Sequence, residues 1–298
     1  MNIKRLIPCF LLIGSLLLGS CENEQITDME KQGTELPEGK YPLTFTASVK
    51  TSGPATRVSE NQSGESQWDG NEIVKVKIGG DTKDYQIGEN GCLTSTQPFY
   101  WNSTTETKLV TAWYPSTLAF DKQVKDQSSS EKYMACDVLK TDQTSISYSN
   151  PSKELTFKHQ MAKVIIHLLQ SDGTTPMTDA TSVEILCSNN FTYSEGSFTN
   201  SNNTFDYVSP FRQTNNSDYK AMIVPQNMAG QKFIKVVYDG NTYYWTPQNN
   251  EANLNSGNTY TYNITVMSTY LDVEVVSTTS NDISWGQGED STDSGTIK

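Results

Sequence analysis

The sequence predicts an all-β protein built as sandwiches or barrels, and three observations carry that prediction. Short runs in which apolar and polar residues alternate recur along the chain, which places apolar side chains on one face of a strand. The composition is rich in Thr, Val and Tyr, with 15 Tyr among 298 residues, and these residues favour pleated sheet. Long stretches at helical spacing are missing, and Gly, Pro, Asn and Asp clusters separate the runs at short intervals.

At 298 residues the chain is long enough for two domains of ordinary size. Its net charge is −12, and loss of Lys4 and Arg5 with a signal peptide would make it two units more negative. Such a surface repels phosphate backbones, which argues against nucleic acid as a partner. Of the five cysteines, Cys9 and Cys21 lie in the N-terminal segment, leaving Cys92, Cys136 and Cys187. An odd number closes no disulfide framework. Cys136 and Cys187 sit at apolar phase in Met134-Cys136-Val138 and Val183-Ile185-Cys187, so they read as small core hydrophobes.

Residues 1–20 combine Lys4 and Arg5 with an apolar run from Leu6 to Leu18. That run is shorter than the about 20 residues needed to span a bilayer, and it reads as a secretory signal. Its end, Leu18-Gly19-Ser20-Cys21, resembles a bacterial lipobox, which implies lipidation of Cys21 and an outer-membrane lipid as its partner. Two or more acyl chains on one residue hold a protein firmly at a membrane. Residues 21–40 are acidic and almost devoid of apolar side chains, as expected of a disordered tether.

Residues 41–153 read as the first domain. Leu43, Phe45, Ala47 and Val49 alternate with Thr44, Thr46, Ser48 and Lys50 to give one apolar face. This strand runs into an aperiodic segment that carries Arg57 and Val58, so 41–57 reads as a removable edge strand followed by a cuttable site. Further strands are expected over Val74–Ile78, Asp84–Ile87, Lys108–Tyr114, Lys132–Leu139 and Ile146–Tyr148, with a polar loop over Asp121–Glu131. Residues 154–276 read as the second domain. It opens on Leu155–Leu169, whose apolar phase switches after Met161 as in a bulged strand. Strands are expected next over Ser182–Cys187, Phe191–Tyr193, Tyr219–Val224, Phe233–Tyr238, Thr242–Trp245, Thr259–Val266 and Leu271–Val276. Asp239-Gly240 is the preferred pair for a tight hairpin. Residues 277–298 read as a loose tail.

Catalytic signatures are absent from the sequence, including metalloprotease, nucleophile-elbow and phosphate-loop motifs, and no cofactor is implied. The two histidines, His159 and His167, would fall on opposite faces of a bulged strand, so no metal pair is expected. Asp69-Asn71 and Asp239-Asn241 read as turns. Carboxylate pairs for glycoside hydrolysis single out no residues. Tyr100-Trp101, Trp113-Tyr114 and Tyr243-Tyr244-Trp245 could offer rings to sugars, although alternation turns at least half of them inward.

Taken in order, several of these runs resemble the fimbrillin-like family of major and minor fimbrial subunits and fimbria-associated lipoproteins of anaerobic Gram-negative bacteria. They are Leu18 to Cys21; Thr56-Arg57 ahead of Trp68 and Gly70-Asn71-Glu72-Ile73; Leu155-x-Phe157-x-His159-x-Met161-Ala162-Lys163-Val164; Val224-Pro225-Gln226; Leu254-x-x-Gly257-x-x-Tyr260-x-Tyr262-x-Ile264-x-Val266; and Ile283-x-Trp285. The resemblance implies two consecutive transthyretin-like β-sandwich domains and export as an outer-membrane lipoprotein. It further implies cleavage between Arg57 and Val58 and assembly with neighbouring fimbrial subunits by donor-strand exchange. The expected product is a non-enzymatic fimbrial subunit or tip protein that serves adhesion to a host or bacterial surface ligand. The alternative is a monomeric cell-surface glycan-binding lipoprotein.

Overall fold

The computed structural model describes residues 34–49, 59–60, 66–68, 70–88, 90–200, 204–212, 217–276 and 286–287. The described residues are nearly all β, arranged as two consecutive sandwiches. Eight strands form the first: β1 (Phe45–Val49), β2 (Ile73–Ile78), β3 (Asp81–Ile87), β4 (Cys92–Thr94), β5 (Thr107–Tyr114), β6 (Leu139–Thr141), β7 (Thr144–Ser147) and β8 (Glu154–His159). Their hydrogen bonds run in the order β2-β3-β4-β1-β8-β6-β5, and β5 pairs with β2 again to close the circuit. Closure pairs the backbone edges that an open sheet would leave exposed, except at β7, which among the described residues bonds only to β5. Side chains of alternate phase meet inside it, including Trp68, Val74, Val76, Tyr85, Ile87 and Phe157.

Two sheets form the second sandwich. The larger uses β9 (Ala162–Leu169), β14 (Phe211–Arg212), β15 (Asp218–Ile223), β18 (Asn258–Val266) and β19 (Leu271–Val276), in the order β14-β15-β9-β18-β19. The smaller runs β13-β10-β16-β17, from Phe205–Val208, Ser182–Ser188, Ile234–Tyr238 and Asn241–Trp245. Their facing sides enclose a core that includes Val164, Ile166, Ile185, Phe233, Tyr262 and Ile264. Asp239 and Gly240 both take positive φ, 47° and 73°, as the hairpin between β16 and β17 requires.

Two sequence readings of the elements need correction here. Leu155–Leu169 is two strands in two sandwiches: β8 pairs with β1 and β6, β9 pairs with β15 and β18, and the chain crosses over at Gln160–Met161. The phase switch marks that crossing rather than a bulge, and it moves the division expected at 153/154 past His159. Lys132–Leu139 is not a strand. Ser129 accepts a hydrogen bond from the Lys132 N–H at 3.2 Å and caps a short helix, α1 (Ser130–Met134), and Leu139 only then begins β6. The polar loop expected over Asp121–Glu131 runs up to α1, and it buries two of its side chains, Gln123 and Gln127.

A third cluster joins the two sandwiches. Tyr133, Cys136 and Val138 from the segment around α1 pack with Met161, Met222 and Val224. The hairpin of β11 (Phe191–Ser194) and β12 (Ser197–Asn200) adds Phe191, Tyr193 and Phe198. The tip of that hairpin reaches the first sandwich, where Glu195 pairs with Lys77 and Ser197 accepts from the Lys140 ammonium at 2.7 Å.

Candidate functional site

β1 is the element on which the sequence reading turns. Leu43, Phe45, Ala47 and Val49 are all buried, and the intervening Thr44, Thr46 and Ser48 are half-buried, so the alternation read from sequence is the alternation observed. The expectation of an edge strand is overturned. β1 lies between β4, antiparallel through Phe45↔Leu93 and Thr46↔Cys92, and β8, parallel from Thr46↔Glu154 to Val49↔Phe157. The physical reason is closure: β1 is the one strand that fills the space between β4 and β8 in the ring. Its departure would leave two strand edges facing each other across roughly 9.5 Å, twice the ordinary interstrand spacing.

The segment ahead of β1 is woven in as well. Leu43 donates to the Phe99 carbonyl at 2.7 Å, and Leu36 donates to Asn102 at 2.8 Å. The Tyr41 carbonyl accepts from Trp101 at 2.9 Å. Tyr85 braces this run from below. Its hydroxyl accepts the Phe99 N–H at 2.8 Å and lies 3.4 Å from the Leu43 carbonyl, and its ring meets Phe45 edge-on at 5.4 Å. Burial pushes the Tyr85 phenol up to about 12.

Gly91 closes the β4 side. Its carbonyl accepts from the Ala47 N–H at 2.8 Å, and its φ is +76°. A Cβ there would stand 2.9 Å from the Ala47 carbonyl oxygen, so only glycine lets the turn approach the strand this closely. On the β8 side the Ser48 hydroxyl donates to the Glu154 carboxylate at 2.5 Å. Sequence reasoning did not single out Gly91, Tyr85 or Glu154, though the Asn90-Gly91 pair was a readable turn signal.

The other residues singled out from sequence are placed as follows. Cys21, Arg57 and Val58 lie outside the described residues. His159, in β8, is buried with Nδ1 2.8 Å from the Asp137 carboxylate, whereas His167, in β9, is half-exposed with Nδ1 2.6 Å from that of Asp218. Among the described residues no group of three or more His, Cys, Asp or Glu side chains could hold a metal. Cys136 and Cys187 are free and buried, and burial pushes both thiols above their ordinary range. Trp101, Trp113, Tyr243 and Trp245 are core residues, Tyr100 and Tyr114 are half-buried, and of the aromatic pairs and triplet only Tyr244 is exposed.

The fold is similar to that of a candidate cell adhesion protein from Bacteroides uniformis, at 18% identity and a TM-score of 0.56 over 82% of this chain and 99% of that one. It is also similar to a candidate cell adhesion protein from Bacteroides ovatus, at 15% identity and a TM-score of 0.55 over 82% of this chain and 97% of that one. No match is found among the curated proteins. The model of one family, described as fimbrillin-like, matches residues 56–283, about three quarters of the sequence, and the chain accordingly belongs to the fimbrillin-like family.

Proposed function

We propose that this chain is a structural subunit or tip protein of surface fimbriae, exported as a lipoprotein through Cys21 and assembled by donor-strand exchange after cleavage at Arg57. The observation that carries the reading is the seat of β1: Phe45, Ala47 and Val49 are buried on a strand that fills a one-strand gap, Leu43 is buried just ahead of it, and Val49 lies eight residues upstream of Arg57. Strand addition supplies main-chain hydrogen bonds and pockets for alternate side chains. Sealing the four pockets contributes on the order of 5 kcal/mol or more, at about 1.5–3 kcal/mol per large side chain. A neighbouring subunit could supply the same pattern.

Arg57 is one of only three arginines. Arg5 falls in the expected signal peptide, and Arg212 is held in β14 with its guanidinium donating to the Thr178 carbonyl at 2.6 Å. An arginine-specific cut beyond the signal peptide that spares Arg212 in its strand is left with Arg57 as its target. Membership of a fimbrillin-like family and the adhesion descriptions of the two structural relatives agree with a surface role, in which the partners are other fimbrial subunits. The glycan-binding alternative loses its main support, since Trp101 and Trp245 are buried.

Replacing Arg57 by Ala tests the proposal directly. Cells expressing the wild type should yield ladders resistant to mild detergent, and cells expressing Arg57→Ala should yield monomers alone. Equal ladders from both would remove Arg57 from the mechanism.

A further inference from the structure

We propose that the first strand is released and replaced from its Val49 end, where Ser48 and Val49 mark the place at which an incoming strand gains its first hold. The proposal rests on the strand-exchange reading above and adds the order of events. The seat of the segment is unequal along its length. From Thr34 to Leu43 hydrogen bonds tie it to residues 99–104: Thr104 donates to Thr34 at 2.7 Å, Leu36 to Asn102 at 2.8 Å, Trp101 to Tyr41 at 2.9 Å and Leu43 to Phe99 at 2.7 Å.

At Thr46 the strand is held from both sides, by Cys92 and by Glu154. The ladder on the β4 side then ends with the Ala47–Gly91 hydrogen bond. Beyond it, among the described residues, Ser48 and Val49 pair only with Thr156 and Phe157 of β8. The Ser48 hydroxyl bond to Glu154 lies on the exposed surface.

Local opening begins where the fewest backbone bonds must break together. The Val49 end therefore opens while the Leu43 end stays seated. An incoming strand can add to β8 at Thr156–Phe157 and advance towards Phe45, exchanging one hydrogen bond and one side chain per step. No intermediate then exposes the whole groove. Exchange from the opposite end would have to break the long run to residues 99–104 before anything replaced it. The occupant is an extended segment parallel to β8, with apolar side chains at four alternate positions as in Leu43, Phe45, Ala47 and Val49.

Hydrogen exchange on the intact wild-type chain, resolved along residues 34–49, reads the order without any variant. Amides at Ser48 and Val49 should exchange at least tenfold faster than those at Leu43 and Phe45. Uniform protection, or faster exchange at Leu43, would overturn the proposal. In a second arm the full chain is cut after Arg57 with an arginine-specific protease and given a labelled synthetic copy of residues 41–57. Ser48→Ala should speed uptake at least threefold, and Thr44→Ala should leave it unchanged; the reverse ranking would overturn the order. A steep exchange gradient without any peptide uptake would retain the opening order and defeat the strand-exchange reading itself.

Discussion

Gly91 condenses the argument at the scale of single residues. A side chain there meets the Ala47 carbonyl and must also adopt a left-handed φ of +76°. That conformation alone costs roughly 1–2 kcal/mol for an L-residue. Gly91→Val should therefore destabilise the chain by about 2 kcal/mol or more, measured by urea denaturation, and should increase exchange at Ala47 first. Phe45→Ala, which empties a fully buried aromatic site against Tyr85, should cost about 3–5 kcal/mol.

Tyr85 gives the same region a pH dependence. Burial raises its phenol to about 12, so the folded chain keeps a proton that the unfolded chain releases near pH 10. Its contribution is complete below pH 10 and is lost as pH climbs through 12. Stability should fall across that window, with a contribution from Tyr85 on the order of 2 kcal/mol. Tyr193, pushed up to about 12 by its own burial, acts in the same direction. Tyr85→Phe should flatten part of the decline while lowering stability at neutral pH, because the Phe99 N–H loses its acceptor.

Among elements, the glutamine-bearing loop explains how the second sandwich protects an edge. β14 pairs with β15 only at Tyr219 and Lys220. Farther along, Gln127 both donates to the Met222 carbonyl and accepts its N–H, each at 2.9 Å, and Gln123 accepts the Val224 N–H at 2.9 Å. Two side-chain amides thus do what another strand's backbone would do, which blunts a template for aggregation. The double variant Gln123→Ala/Gln127→Ala strands buried backbone groups, each costing about 1–3 kcal/mol. It should lower the thermal midpoint and raise self-association, measured by calorimetry and light scattering.

The elements also show what was readable in the sequence. The alternation of β1, the Asp239-Gly240 hairpin and the clean phase of Tyr260, Tyr262, Ile264 and Val266 were legible because each is set by local period or turn chemistry. The change of sandwich after His159 was not, since a phase switch looks the same whether a strand bulges or the chain moves to another sheet. Nor was the seat of β1. Sequence periodicity gives a buried face, but whether a strand sits at an edge or between two neighbours depends on pairings with residues 92–93 and 154–157, far along the chain. Gln123 and Gln127 read only as members of a polar loop, because their partners are backbone atoms about a hundred positions away.

For the whole molecule, the contacts that join the sandwiches fall on strands other than β1, its neighbour β8 among them. The β11–β12 hairpin rests on Lys77, Trp113 and Lys140, where a Cβ on Gly196 would come within 2.5 Å of the Trp113 Cβ. β8, one wall of the β1 seat, is pinned beyond its end, with Ser256 donating to the His159 carbonyl at 3.3 Å and Gly257 to that of Met161 at 2.9 Å. The second sandwich thereby holds this wall of the β1 seat in register. Gly196→Val should loosen this arrangement and destabilise the chain, read as a lower thermal midpoint with β1 sequence unchanged.

The most direct test of a removable first strand is the mass and N-terminal sequence of the protein harvested from the surface of intact cells. The account expects chains that begin at Val58 and are recovered as multimers. Chains that all begin at a lipidated Cys21, each recovered as a monomer with residues 41–57 still attached, would contradict it.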